Sequence, residues 1–226
     1  MLESIRKSKF FWLLLALLAF FLITPFIIDS EIDLYVFSLL FSIILCVSVY
    51  VSTHRRWVFI LSIFLAVLVF VGIWVNSFVL DDPTFLEIEY GLIILFFSLV
   101  TIVILRSVIR DRVISFNTLC GAICGYLMIG FVWSFFYSLI YTVYPAAFTL
   151  PEAKMMLFDS NFQRFVYYSY VTLTTLGYGD IAPLMNIAKT FAWLEAIVGQ
   201  VYLTVWIAQL VGLHITQRTK QDGVST

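Results

Sequence analysis

Seven consecutive residues, Thr174-Thr175-Leu176-Gly177-Tyr178-Gly179-Asp180, carry most of the chain's chemical potential. Two hydroxyls precede a Gly-Tyr-Gly unit, and an acid follows it. Taken alone, Gly-Tyr-Gly is compatible with an ordinary turn. Fifteen residues further on, Glu195 is the one acid inside a long apolar run. Carboxylates at such positions are costly and seldom idle. Cys46, Cys120 and Cys124 lie within apolar stretches and read as small reduced packing residues. His54 and His214 sit beside charged clusters, a poor arrangement for a metal. They read as interfacial residues, with sensing of cytoplasmic pH as the alternative. No nucleophile–base set or metal cluster is evident, so an enzyme is not expected.

The elements that must position these residues are membrane helices. Of 226 residues, 62% are hydrophobic and 12% charged, against about 45–50% and about 25% for a soluble domain. That excludes a soluble globule, a disordered chain, a disulfide framework and a basic nucleic-acid binder. A spanning helix takes roughly 20 apolar residues. Six runs qualify: Phe10–Ile28, Leu34–Thr53, Trp57–Leu80, Tyr90–Leu105 (with Phe85–Glu89 as a possible extension), a helix within Val113–Pro151 ending near Tyr144-Pro145, and Thr190–Ile215. The first follows Arg6, Lys7 and Lys9 but is too long for a signal peptide and has no cleavage site after it.

Charge alternates along the connections. Asp29, Glu31 and Asp33 are acidic, His54-Arg55-Arg56 basic, Asp81, Asp82, Glu87 and Glu89 acidic, and Arg106, Arg110 and Arg112 basic. The positive-inside rule then places both termini in the cytoplasm. Ten of the thirteen Lys and Arg residues fall inside, and ten of the fourteen acids outside. The net charge of -1 is thus a cancellation of +7 inside against -7 outside, with Glu195 in the membrane. Phe162–Leu176 does not fit this count. It is apolar, too short to span, and must return to the side it entered from. Irregular backbone at membrane depth is tolerated only where it lines a water-filled path or is buried in protein. Topology alone therefore predicts a pore loop, with Asp159-Ser160 capping its helix.

In that setting, Thr174 to Asp180 resembles the potassium-channel signature T-x-G-Y-G-D, and the stretch from about Thr118 to Ile215 resembles that family throughout. Asn117–Gly130 and Leu194–Leu213 are similar to a group of small bacterial six-helix potassium channels. In these the last helix carries a pattern like E-A-x-x-G-Q-x-Y, here Glu195-Ala196-Ile197-Val198-Gly199-Gln200-Val201-Tyr202. The first four helices match only in layout and hydrophobicity.

The resemblance implies an all-α integral membrane fold: six transmembrane helices, a re-entrant pore helix and a selectivity filter, assembled as a homotetramer with three identical subunits. It implies passive, potassium-selective conduction across a plasma or bacterial inner membrane. Membrane lipid is the other expected partner, nucleic acid is not, and K+ ions in the filter are the only expected cofactor. Carbonyls of Thr175, Leu176, Gly177 and Tyr178 would replace the ion's water shell, with the Thr175 hydroxyl at the innermost site. Gly177 and Gly179 supply backbone angles that other residues resist. Thr174, Tyr167, Tyr168, Asp180 and Glu195 would support the filter, with Tyr178 packed on Tyr167 and Tyr168. The C-terminal end of the pore helix, near Thr174, would favour a cation in the cavity.

Several positions depart from the family or carry two readings. Leu176 stands where Val is commonest. Val171 replaces a glutamate that, in some members, bonds the outer Asp, and Tyr168 is expected to bond Asp180 in its place. Glu195 is a filter brace or proton-sensitive element, or a structural hydrogen bond between helices. Gly199 matches a gating hinge, with close packing against the pore helix as the alternative. Gln200, Thr204, Ala208 and Val211 share one helical stripe that lines the cavity or faces another helix. Gly121 and Gly125 form a G-x-x-x-G packing pair. Trp57, Trp74 and Trp133 are expected at lipid or the interface.

The expected organisation is residues 1–112 as a four-helix region without voltage-sensor arginines, 113–215 as a pore domain, and 216–226 as a short cytoplasmic tail. The fourth helix has no cation inside its apolar run, so steep voltage gating is not expected. The tail is too short for a ligand-binding module, so the gate is expected to depend on the pore, lipid, pH or a separate partner. A secondary transporter or a non-conducting regulatory subunit is the alternative function; the first should show internal repeats, and none is evident.

Overall fold

A computed structural model describes residues 9–24, 33–51, 56–78, 83–111, 115–150 and 160–222. It contains helices α1 (Lys9–Ile23), α2 (Asp33–Val51), α3 (Arg56–Phe78), α4 (Pro83–Arg110), α5 (Phe116–Val143), α6 (Ser160–Leu173) and α7 (Asn186–Asp222). Two short strands, β1 (Phe148–Thr149) and β2 (Ala182–Pro183), complete it. Long apolar runs free of internal proline explain the helices. Proline opens α4 at its first position, where its missing N–H costs nothing. It also stops α5, whose last bond runs from Tyr144 N–H to the Ile140 carbonyl just before Pro145.

Among the described residues, α3, α4, α5 and α7 each hold a stretch long and apolar enough to cross a membrane. Lys9–Ile23 and Val36–Val51 are apolar but shorter. Among the described residues, the six expected spans thus appear as four of full length and two short ones, and residues 25–32 lie outside the described residues. Asp29, Glu31, His54, Arg55, Asp81, Asp82, Arg112 and Asp159 lie outside them too. Arg106 and Arg110 stand in the last turns of α4 rather than in a loop, and α7 runs beyond both ends of the expected span.

Helix α5 is the centre of the fold. It packs against α1, α4, α6 and α7. Buried positions make up 67% of its spanning stretch, against 11% for α7. Helices α1 and α4 therefore pack on α5 within the one chain, with α2 and α3 packed on α1 and α4. The end of α4 is tied to the start of α5 by side chains. Ser115 caps α5 by accepting from Thr118 N–H at 3.1 Å, and the Thr118 hydroxyl donates to Asp111 Oδ2 at 2.7 Å. Lys9, at the start of α1, lies over the Tyr50 ring at the end of α2, so this pair is antiparallel.

The strands fix the path of the re-entrant segment. β1 follows α5, β2 follows the Gly-Tyr-Gly run, and they pair antiparallel with Phe148 opposite Pro183 and Thr149 opposite Ala182. Leu184 N–H also donates to the Ala147 carbonyl at 2.8 Å. The chain thus enters through α6 and comes back to the level at which α5 ended, before α7 begins. This ribbon was not foreseen; two residues per strand leave no readable alternation.

Candidate functional site

The site begins where α6 stops. Thr175 N–H donates to the Thr172 carbonyl at 2.9 Å, and Leu176 N–H reaches back to the Val171 carbonyl at 2.9 Å. These two bonds, with Thr175 at φ 58°, form a Schellman cap. Glycine normally occupies the left-handed position of that cap. A β-branched residue there is strained, of the order of 1–3 kcal/mol, and such strain concentrates at functional sites. The sequence assigns the unusual backbone to Gly177 and Gly179 alone, and Thr175 adds a third position.

Positive φ then recurs at every second residue: Thr175 at 58°, Gly177 at 60° and Gly179 at 79°. In an extended strand, successive carbonyls point to opposite sides. Alternating the handedness of successive residues cancels that reversal and lets the carbonyls share one side. No substituent is tolerated easily at Gly177 or Gly179, although a Cβ would meet nothing within 4 Å at either. The constraint is conformational, not spatial.

All of Thr174 to Asp180 is exposed in the single chain, with Leu176 at 55% and Tyr178 at 66%. Support comes from below and behind. Gln200 Nε2 donates to Thr175 Oγ1 at 3.3 Å, joining α7 to the start of the run. Tyr178 stacks on Tyr167, with centroids 6.5 Å apart and ring planes 11° apart. The Tyr167 hydroxyl bonds Asp180. That bond favours the protonated phenol and raises its pKa above the ordinary tyrosine value.

Tyr167 thus takes the role expected of Tyr168. Tyr168 is turned about 100° around the helix from its neighbour. It is buried against Tyr137 at 4.8 Å and Phe148 at 5.6 Å, and bonds Thr172. It packs behind α6 instead of under Tyr178.

The carbonyls at the end of α6 all accept hydrogen bonds within the chain. Tyr170 O takes Thr174 N–H and its hydroxyl, Val171 O takes Leu176 N–H, Thr172 O takes Thr175 N–H, and Leu173 O takes the Tyr126 hydroxyl. These carbonyls are therefore engaged by the cap and by α5.

Glu195 is fully buried. Ser169 Oγ lies 2.5 Å from Oε1, and the Tyr137 hydroxyl donates to Oε2 at 2.6 Å. One partner is on α6, as the sequence suggests; the other is on α5 and was not identified there. Tyr137 is 58 residues from Glu195 and looks like any other apolar-run aromatic. Gly199 faces the end of α6. A Cβ there would collide with the Leu173 carbonyl oxygen and lie 2.9 Å from Leu173 Cδ1, while α7 continues unbroken through it. Gln200, Thr204, Ala208 and Val211 are exposed along α7, with Thr204 Oγ1 bonded to the Gln200 carbonyl at 2.8 Å. Gly121 and Gly125 do mark close approaches, to Phe10 and Val108 and to Leu105 and Tyr202 respectively. Trp57 is 85% exposed, and Trp133 is half-buried, packing on Phe136, Tyr137 and Phe191. The side chains of Trp74 and His214, and His54 altogether, lie outside the described residues.

Residues 123–214 match the family model described as Ion channel. No curated protein matches the chain. The matched stretch runs from within α5 to within α7 and contains the whole re-entrant segment. With the long apolar helices, it supports an integral membrane protein of the ion-channel kind.

Proposed function

We propose that the protein is a potassium-selective channel that conducts K+ passively through a fourfold assembly of identical chains. The reading rests on one observation: positive φ at Thr175, Gly177 and Gly179, alternating along a Thr-Thr-Leu-Gly-Tyr-Gly-Asp run between a re-entrant helix and a long, largely unburied helix. Carbonyls of Thr175, Leu176, Gly177 and Tyr178, with the Thr175 hydroxyl, would replace the water of a dehydrated K+. One chain supplies one wall. Three more copies would close the ring and cover the exposed apolar residues of α7, among them Ile197, Val201, Val205 and Ile207. Gln200 and Thr204 would keep the ion hydrated below the filter, with Ala208 completing the lining. Gly199 would then serve close packing of α7 on α6 more than hinge motion.

In this reading all six apolar helices cross a cell membrane, with both termini in the cytoplasm, and voltage dependence is weak. The test is flux from liposomes carrying the purified protein. K+ efflux that far exceeds Na+ efflux supports the proposal. A verified tetramer that passes neither ion, or both equally, refutes it.

A further inference from the structure

The surroundings of Glu195 allow its protons to be counted. Four short oxygen–oxygen contacts meet there. The Tyr137 hydroxyl reaches Glu195 Oε2 at 2.6 Å, and Ser169 Oγ reaches Glu195 Oε1 at 2.5 Å. Ser169 Oγ also reaches the Gly130 carbonyl at 2.7 Å, and Ser134 Oγ reaches the same carbonyl at 2.8 Å. Each hydroxyl owns one proton, and a carbonyl owns none. Tyr137 spends its proton on Oε2 and Ser134 spends its own on Gly130. Ser169 is left with one proton and two contacts. If Glu195 were a carboxylate, one of those contacts would set two lone pairs against each other with no proton between them.

A carboxylic acid removes the conflict. Oε1–H donates to Ser169 Oγ, and Ser169 donates to the Gly130 carbonyl, so every contact holds one proton. We propose that Glu195 is carried as a neutral carboxylic acid and that its proton is the pin fixing α6 between α5 and α7. Nothing facing it opposes that state. From α5 it faces the phenols of Tyr126 and Tyr137, and from α6 those of Tyr168 and Tyr170. Phenols are uncharged at ordinary pH. Among the described residues no cation is paired with it.

Loss of the proton has a defined structural result. Ser169 must give up either its bond to Gly130, removing one tie between α6 and α5, or its contact with Glu195, removing one tie between α6 and α7. Ser169 lies one helical turn before Leu173, where the Thr174–Asp180 run begins. The pin is complete at low pH and is lost as pH rises through ionisation of Glu195. That ionisation also leaves a charge buried without a counterion. Its bearing on conduction rests on the channel reading; the pin itself does not.

The experiment is infrared spectroscopy of the full chain in lipid, titrated from about pH 6 to about pH 10, beside a melting curve at each pH. The expected result at neutral pH is a protonated-carboxylic-acid band that disappears in Glu195→Gln. The subtraction removes any contribution from the buried Glu89. Wild-type melting temperature should fall as the band is titrated away. In Glu195→Gln that fall should vanish, because the amide N–H2 supplies Ser169 with a permanent donor. Should Glu195→Gln not fold, Tyr137→Phe serves instead: it keeps the acid but removes one donor, so the band should move. Absence of the band at neutral pH, in wild type or in Tyr137→Phe, overturns the proposal. So does a pH-dependent melting shift that survives in Glu195→Gln. Loss of K+ selectivity with the band and the melting shift intact breaks the channel reading and leaves the pin standing.

Discussion

Helices α1, α2 and α4 meet one another and α5 through a cluster of rings. Phe20 touches Phe37 at 5.4 Å and Phe131 at 5.6 Å, Phe41 touches Phe97 at 5.6 Å, and Phe97 touches Phe131 at 5.1 Å. Their hydroxyls mostly turn back on their own helix, as Thr24 does to Phe20 and Thr101 to Phe97. Helices α5 to α7 also share ring contacts, such as Phe135 on Phe162 at 4.5 Å, but add donors and acceptors that cross from helix to helix. Tyr170 reaches Leu127 O, Tyr202 reaches Ala122 O, and Tyr137 and Ser169 converge on Glu195, each within 2.5–2.6 Å. Lipid tails are as apolar as phenylalanine, so ring packing gains no hydrophobic transfer term between membrane helices. It gains dispersion and shape, which many ring arrangements can satisfy. A hydrogen bond across helices admits one geometry. The contrast assigns the N-terminal half to bulk support and the second half to fixing one backbone conformation at residues 174–180.

The sharpest way to break that contrast uses matched glycines. Gly177→Ala puts a side chain at φ 60°, where the obstacle is backbone strain. We expect it to abolish K+-selective flux. Gly91→Ala in α4 meets nothing within 4 Å and has no unusual φ. There we expect unchanged flux and a gain of up to about 1 kcal/mol in helix stability. Selective flux surviving in Gly177→Ala would remove the main support for the filter reading.

The next largest effect is at α7. Gly199→Ala drives a methyl into the Leu173 carbonyl, which is backbone and cannot swing aside. Overpacking of that kind costs about 1–3 kcal/mol, and we expect a matching drop in thermal stability with weakened assembly. Its counterpart is Phe97→Ala, at the middle of the ring cluster. In a water-soluble core such a truncation costs about 3–5 kcal/mol. Here only the packing part is at stake, so the loss should fall below that range. A full soluble-type loss would show that the ring cluster is as specific as the hydrogen-bonded half. Smaller again is Tyr170→Phe, which deletes one bond to Leu127 O at 2.6 Å and keeps the ring. It should cost about 0.5–1.5 kcal/mol by reversible melting.

The same contrast explains what could be read from the sequence. The order of the apolar helices follows from long apolar runs, and α5 stops at Tyr144-Pro145 because proline signals are local. The Thr174–Asp180 run is legible because its spacing is contiguous. What escaped depends on contacts distant in sequence or on one step of helical rotation. Tyr167 and Tyr168 are chemically identical neighbours, and only the azimuth of α6 decides which meets Asp180. Tyr137 gains its role from a carboxylate 58 residues away. Thr175 in a left-handed conformation opposes its own β-branched preference, so local propensity points the wrong way where the chain is most strained.

The smallest predicted effect tests the N-terminal half for an electrical role. Moving one charge through the whole membrane field is worth about 2.3 kcal/mol per 100 mV, and steep gating needs several such charges. Helix α4 carries Arg106 and Arg110 only in its last turns, and the Thr118 hydroxyl ties its end, at Asp111, to the start of α5. A displacement of α4 would therefore have to drag α5 with it, along the most extensive helix contact in the fold. Replacing both arginines with glutamine should leave the slope of the conductance–voltage curve unchanged, whatever it does to expression. A slope that flattens clearly in the double variant would mean that α4 moves charge through the field, and that the ring-packed half drives the pore as well as supporting it.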